Sequence, residues 1–265
     1  MFRSPGEIAL KLGLFQIHWY GIIICIAFFT GFVIVLKLSK KFDMSEDQIY
    51  DISFYSLISA IIGARFYYVL VNLHYFLTYP QEIIMVWHGG ISIHGAIFGG
   101  LISLYVYSKK QSINFLKLTD LFSIGLILGQ SIGRWGNFFN SEAFGKPTNL
   151  PWKLYIPLAK RPVEYINYQY FHPTFLYESV WNLIVFILLL LTLNYKKNLK
   201  IGELTCLYFI FYSIGRAFIE QLRVDSVFSP HNIPIAFIIS IFLILTGITG
   251  LVLIAFHGKK YKENI

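Results

Sequence analysis

Residues 121–145 read LFSIGLILGQSIGRWGNFFNSEAFG. The first part is an apolar run fit to enter a membrane, and 133–145 closes it with a dense polar cluster. Arg134 stands where a charge costs about 2.5–3.5 kcal/mol on membrane-insertion scales. Asn137, Asn140 and Glu142 follow at once. Gly133 and Gly136 remove side-chain bulk beside Arg134, so another group can approach the backbone closely. A lone arginine here could pair with Glu142 and simply end a helix. A cluster this crowded fits a binding site better, because intramembrane ionisable groups are costly and mark function by default.

The rest of the chain has the same apolar character. Of its 265 residues, 56% are hydrophobic and only 14% charged, and the mean hydropathy is +0.60. Soluble domains carry roughly 25% charged residues, so the expected fold class is all-α, a polytopic membrane protein. A formal charge of +8 would suit nucleic acid, but the lysines cluster in short loops between apolar runs, as membrane orientation requires. The partner is therefore a lipid bilayer and not nucleic acid. Cys25 and Cys206 lie inside apolar runs and read as reduced packing residues, with no disulfide frame and no metal site. A cleavable leader is not expected, since the first apolar run is too long and lacks a small-residue cleavage site.

A span needs about 20 apolar residues. The pattern predicts about seven transmembrane helices near 17–37, 49–73, 90–108, 119–139, 174–194, 202–222 and 232–256, in one transmembrane domain over 1–265 without tandem repeats. Lys37, Lys40 and Lys41 follow the first; Lys109, Lys110 and Lys117 separate the third and fourth. Lys196, Lys197 and Lys200 separate the fifth and sixth, and Lys259, Lys260 and Lys262 fill the tail. The positive-inside rule makes these segments cytoplasmic, with the N-terminus outside and the C-terminus inside. Segment 140–173, with five prolines, is then a small extracytoplasmic cap.

This orientation predicts that most intramembrane ionisable groups converge on one depth near the outer face. Tyr20 opens the first span, Arg65 lies in the outer half of the second, and His94 is about a turn into the third. Arg216, Glu220 and Arg223 end the sixth. Arg216 and Glu220 are four apart and can pair on one helical face. Two arginines from different spans would instead clamp an oxyanion, since guanidinium forks bind phosphate bidentately and stay charged at low dielectric. In HGGISIHGAIFGG, 88–100, Gly95 and Gly99 predict a close helix crossing. Histidine is the residue type best suited to accept a proton near neutral pH, which makes His94 a candidate base, whereas His88 reads as interfacial. Trp19 reads as an aromatic-belt residue, and Glu178 and Asn182 read as structural partners on one face. HExxH, GxSxG and paired aspartates within spans are all missing, so the common hydrolase chemistries have no support.

These motifs resemble those of the bacterial prolipoprotein diacylglyceryl transferases. The likeness is carried by Gly133-Arg134-x-Gly136-Asn137-Phe138-x-Asn140-x-Glu142-x-x-Gly145 and by His18-Trp19-Tyr20-Gly21, Gly63-x-Arg65 and Gly89-Gly90-x-Ser92-x-His94-Gly95. It continues in His172-Pro173-x-x-x-Tyr177-Glu178 and Gly215-Arg216-x-x-x-Glu220-x-x-Arg223. It is weakest over 146–170, and Phe171 stands where many members have arginine. The resemblance implies an enzyme of the bacterial cytoplasmic (inner) membrane, working towards the extracytoplasmic side without a cofactor. It would pass the diacylglyceryl group of phosphatidylglycerol to the lipobox cysteine of a prolipoprotein, forming a thioether and releasing glycerol 1-phosphate. It implies His94, Arg134 and Arg216 as catalytic residues. Tyr20, Arg65, Asn137, Asn140, Glu142, Gly145, Glu220 and Arg223 would bind substrate. The competing reading is a transporter or flippase for an anionic lipid or solute. Such proteins often show an internal repeat and a midplane site, and this chain shows neither.

Overall fold

The computed structural model describes residues 1–13, 15–257 and 261. The tail lysines Lys259, Lys260 and Lys262 lie outside the described residues. Helices dominate: α1 (Trp19–Leu38), α2 (Glu46–Val71), α3 (Leu73–Thr78), α4 (Ile93–Lys110), α5 (Phe115–Asn140), α6 (Thr174–Tyr195), α7 (Glu203–Glu220) and α8 (Ile235–His257). The described residues also form five short strands: β1 (Phe2–Arg3), β2 (Ile8–Leu12) and β3 (Phe15–His18) precede α1, and β4 (Leu154–Tyr155) and β5 (Tyr170–Phe171) lie between α5 and α6. This is an all-α polytopic membrane protein. Among the described residues, five segments are long and apolar enough to cross a bilayer: Trp19–Phe42, Glu46–Val71, Phe115–Asn140, Thr174–Tyr195 and Ile235–His257. Helices α4 and α7 occupy the other two expected positions with 18 residues each, or about 27 Å at the helical rise.

The chain forms two compact units, one of Met1–Val35 and Asp120–Ile265, the other of Leu36–Thr119. In the second, Ser45 starts α2 with a capping box: its hydroxyl accepts from the Gln48 amide at 3.2 Å, and the Gln48 side chain accepts from the Ser45 amide at 2.9 Å. This satisfies two otherwise orphaned helix-terminal groups. Further along, α2 and α4 cross as the Gly95–Gly99 pattern predicts. A methyl on Gly95 would collide with the Gly63 carbonyl oxygen, and one on Gly99 with that of Ser59.

In the first unit, segment 140–173 is seated by an aromatic core. Phe138, Phe144, Leu154, Ile156, Phe171 and Phe175 are buried together, with Phe2 packed against them. β4 pairs in parallel with β1 and antiparallel with β5, so the N-terminus is stitched to this segment. Phe171 is fully buried in that core. A charged side chain at this position would have to give up its water to enter that apolar cluster.

One buried charge departs from the expected convergence. Asp120 lies near the start of α5, about 20 Å along the helix from Arg134, and is completely buried. It accepts from the Gly202 amide at 2.6 Å, the Thr205 amide and hydroxyl at 2.8 Å each, and the Tyr261 hydroxyl at 2.8 Å. It thus caps the N-terminus of α7 from a neighbouring helix, where a negative charge also suits the helix dipole. Asp120→Ala is expected to lower detergent melting by at least about 1–3 kcal/mol, because buried donors lose their acceptor. Asp120→Asn, which keeps one oxygen, should lose less.

Candidate functional site

Three stretches of chain meet at Gly145 and bring the ends of α5, α6 and α7 together. The Gly145 amide donates to the His172 carbonyl at 2.9 Å, the His172 amide donates to Lys146 at 3.0 Å, and the Lys146 amide donates to Leu222 at 2.8 Å. Gly145 and Arg223 also face each other as an antiparallel bridge. Gly145 is thus a seam of the framework. Directly before it, Ser141 (φ 51°) and Ala143 (φ 53°) hold left-handed backbone conformations. Such conformations persist for non-glycine residues only where the surroundings impose them. Here the Thr174 hydroxyl donates to the Ala143 carbonyl. The Glu142 amide donates to the Asn137 carbonyl at 3.0 Å, while Asn137 Nδ2 donates to Glu142 Oε1 at 2.8 Å. Glu142 is stapled at two points.

The charges assemble around Glu178, one turn into α6 and nearly inaccessible. Its Oε1 accepts from Arg216 Nη1 at 2.9 Å and Arg223 Nη1 at 3.1 Å. Arg134 Nη2 lies 2.6 Å from its Oε2. Arg216 Nη2 also lies 2.6 Å from Glu220 Oε2. These last two are charge contacts without aligned hydrogen bonds, since neither Oε2 atom has a hydrogen-bond partner. Arg223 is held hardest. Its Nε and Nη2 donate to Asp225 at 2.9 and 2.7 Å. Burial alone would lower its pKa, but the Asp225 hydrogen bonds and the charges of Glu178, Asp225 and Glu220 raise it.

The three guanidinia therefore differ in what they have left to offer. Arg223 uses all three nitrogens on protein carboxylates. Arg216 uses both terminal nitrogens. Arg134 touches one carboxylate oxygen with one nitrogen, and its side chain is the most exposed of the three, 24% against 16% and 11%.

The structure rules out one pairing that the sequence had left as the lesser alternative, and it corrects one sequence reading. Arg134 pairs with Glu178 and not with Glu142, whose carboxylate is engaged by Asn137. Asn182 does not hydrogen-bond Glu178 through its amide nitrogen: its buried Nδ2 has no partner among the described residues, while Glu178 Oε1 takes its hydrogen bonds from Arg216 and Arg223. The Arg216–Glu220 pair is present as expected. Glu178 is the residue that sequence reasoning undervalued. The signal lay in the charges: three arginines at one end of the helices need more than Glu142 and Glu220.

The remaining expected residues divide between the units. Tyr20 packs its ring on Gly136, where a methyl group would come within 2.8 Å of a ring carbon. Asn140 ends α5 half-buried, and its side chain has no hydrogen-bond partner among the described residues. Burial lowers the pKa of His172; its Nδ1 lies 3.2 Å from the Tyr177 hydroxyl, which accepts from Trp152 Nε1 at 2.9 Å. In the unit of Leu36–Thr119, His94 is exposed on the first turn of α4 with its ring 5.9 Å from that of Tyr67. Arg65 is buried there and directs its donors at backbone carbonyls.

The family profile described as prolipoprotein diacylglyceryl transferase matches residues 7–253. The phosphatidylglycerol–prolipoprotein diacylglyceryl transferase of Thermotoga maritima is 47% identical over 257 residues, covering 94% of this chain and 86% of that protein. A protein of the same name from Synechococcus elongatus is 46% identical over 263 residues, covering 98% and 90%. Another from a Nostoc species is 46% identical over 255 residues, covering 95% and 90%.

Proposed function

Because the chain belongs to the prolipoprotein diacylglyceryl transferase family, we propose that it transfers the diacylglyceryl group of phosphatidylglycerol to the thiol of a prolipoprotein's lipobox cysteine. The observation that carries this reading at the level of residues is the graded commitment of the arginines. Arg134, the least committed, and Arg216, loosely aligned on Glu220, have donors that an incoming phosphate can take over. Arg223, locked on Asp225 and Glu178, is framework.

The sulfur attacks the glycerol carbon that bears the phosphate. A C–S bond forms, the C–O bond breaks, and the electron pair leaves on the phosphate as glycerol 1-phosphate. Negative charge grows on the departing group, where the Arg134 and Arg216 forks neutralise it in a water-poor setting. The nucleophile is the thiolate, so a base must take the thiol proton, and His94 is assigned that role. No structural hydrogen bond engages its ring among the described residues. Tyr20, Asn137, Asn140 and Glu142 position the headgroup. Gly145, Glu220 and Arg223 hold the arginines in place, and Arg65 acts on the protein's own backbone.

The test uses phosphatidylglycerol labelled in its acyl chains and a lipobox peptide. Label is expected in the peptide, resistant to thioester cleavage, with glycerol 1-phosphate released in equal amount. Movement of label between leaflets without lipidated peptide would overturn the reading in favour of a flippase.

The same reading places the enzyme in the bacterial cytoplasmic membrane with seven spans, its N-terminus and segment 140–173 outside. Reporter fusions after Lys110 and Lys197 are expected to report cytoplasm, and one near Pro157 the exterior. A reversal at any of the three dismantles the shared outward face. Transfer is direct, without an enzyme-bound thioether. Cys25→Ser and Cys206→Ser are accordingly expected to retain turnover within about twofold, the scale of an ordinary packing change. A folded but inactive variant of either would point to a covalent intermediate.

A further inference from the structure

Between α2 and α4 runs a connection whose surface is wrong for water. Residues 73–92 contain a single carboxylate, Glu82, and no lysine or arginine. Leu77, Ile84, Trp87 and Ile91 are between 65% and 74% exposed. Tyr75 and Tyr79 add aromatic surface, and the Tyr75 hydroxyl donates to the Glu82 carboxylate at 2.9 Å. Val71 at the end of α2 and Ile93 at the start of α4, which flank the connection, are also more than half exposed.

The backbone of this connection is organised from behind. Arg65 Nε donates to the Ile83 carbonyl at 2.9 Å, and Nη1 donates to those of Gly89 and Gly90 at 2.7 Å each. Its Nη2 donates to the Glu82 carbonyl. The guanidinium also lies 5.1 Å from the Phe76 ring centre. Gly90 (φ 73°) allows this approach, since a methyl there would sit 2.7 Å from Arg65 Nη1. The Ser92 amide donates to the Ala64 carbonyl at 3.1 Å. Polar backbone thus turns inward onto a fixed cation while apolar side chains turn outward.

We propose that residues 73–92 form a bilayer-facing platform that lies in the lipid interface and is latched by Arg65. Irregular backbone survives beside hydrocarbon only when its polar groups are satisfied within the protein, and four carbonyls here have the same donor. Tyrosine and tryptophan suit the headgroup level, with aliphatic side chains reaching just below it. Arginine suits the latch because its planar fork serves acceptors in several directions, which a lysine ammonium cannot do over the same span.

The test uses the full chain in vesicles of phosphatidylglycerol and phosphatidylcholine, with Cys25 and Cys206 replaced by alanine. A nitroxide is attached at Ile84→Cys, Trp87→Cys or Ile91→Cys in turn. Lys197→Cys serves as the aqueous reference and Phe242→Cys, on α8, as the hydrocarbon reference. All three platform labels are expected to relax with oxygen and to resist a water-soluble nickel chelate, at a shallower depth than position 242. Nickel access equal to that at 197 would overturn the platform. Labels immobilised and shielded from both reagents would also overturn it, because a protein surface would then be the occupant. Adding Arg65→Ala, or Arg65→Lys if alanine prevents folding, is expected to sharpen the spectra at 84 and 87 and raise nickel access. Unchanged spectra in the folded variant would overturn the latch.

Discussion

Arg134→Ala is expected to cut diacylglyceryl transfer by about a hundredfold to a thousandfold while the protein still inserts and folds. Losing one preorganised donor at a developing oxyanion costs roughly 2.7–4 kcal/mol. The fold should survive because Arg134 makes only one contact with a carboxylate that two other arginines also satisfy. Arg134→Lys should recover little, since a flexible point charge does not replace a fixed fork. The loss should fall on kcat more than on KM, as befits an interaction that strengthens when the phosphate departs. Arg223→Lys is the useful contrast. Its guanidinium is fully engaged by Asp225 and Glu178, so that variant should show its damage in detergent melting. If Arg134→Ala instead melts early and turns over normally once folded, the arginine is architecture and the phosphate role is lost.

Glu178 should give the second large effect, with two separable parts. Glu178→Ala leaves three guanidinia facing one another across a buried gap, and breaking a buried ionic network by removing one partner costs about 3–5 kcal/mol. Early melting or poor accumulation is expected. Glu178→Gln keeps the shape and an acceptor oxygen, so it should fold, but with less to hold the arginines in register. The sign of its kinetic effect is informative. Glu178 competes with an incoming phosphate for Arg134 and Arg216, so removing its charge should tighten ground-state binding of phosphatidylglycerol. The disordered forks should meanwhile serve the transition state less well. Both kcat and KM are therefore expected to fall together. A glutamine variant with unchanged kcat would show that the arginines need no such anchor. Combining it with Arg134→Ala should give less than the summed loss, because the two side chains act through one contact.

Much of the architecture was legible in one dimension. A helix crossing a bilayer must be long and apolar, which is a property of consecutive residues. The segment expected near 119–139 forms α5 over Phe115–Asn140, and the one near 202–222 forms α7 over Glu203–Glu220. The Gly95–Gly99 spacing announced a close helix crossing for the same reason, since residues four apart share a face. The ion pair of Arg216 with Glu220 follows from that rule too. The dense polar cluster at the end of an apolar run marked the end of α5 as a candidate site, independently of any family motif.

Partnership between distant residues was decided by tertiary structure. Arg134 and Glu142 are close in sequence, yet the carboxylate facing Arg134 belongs to Glu178, 44 residues further along, while Asn137 holds Glu142. Arg65 reads as one more headgroup arginine until the carbonyls of 82–90 are seen to converge on it. Asp120 shows no local reason for its burial until Gly202, Thr205 and Tyr261 surround it. Hydrophobicity and helical period determine which segments enter the membrane and which residues share a face. How each helix is rotated against its neighbours determines which charges meet, and that rotation depends on packing between surfaces that are remote in the chain.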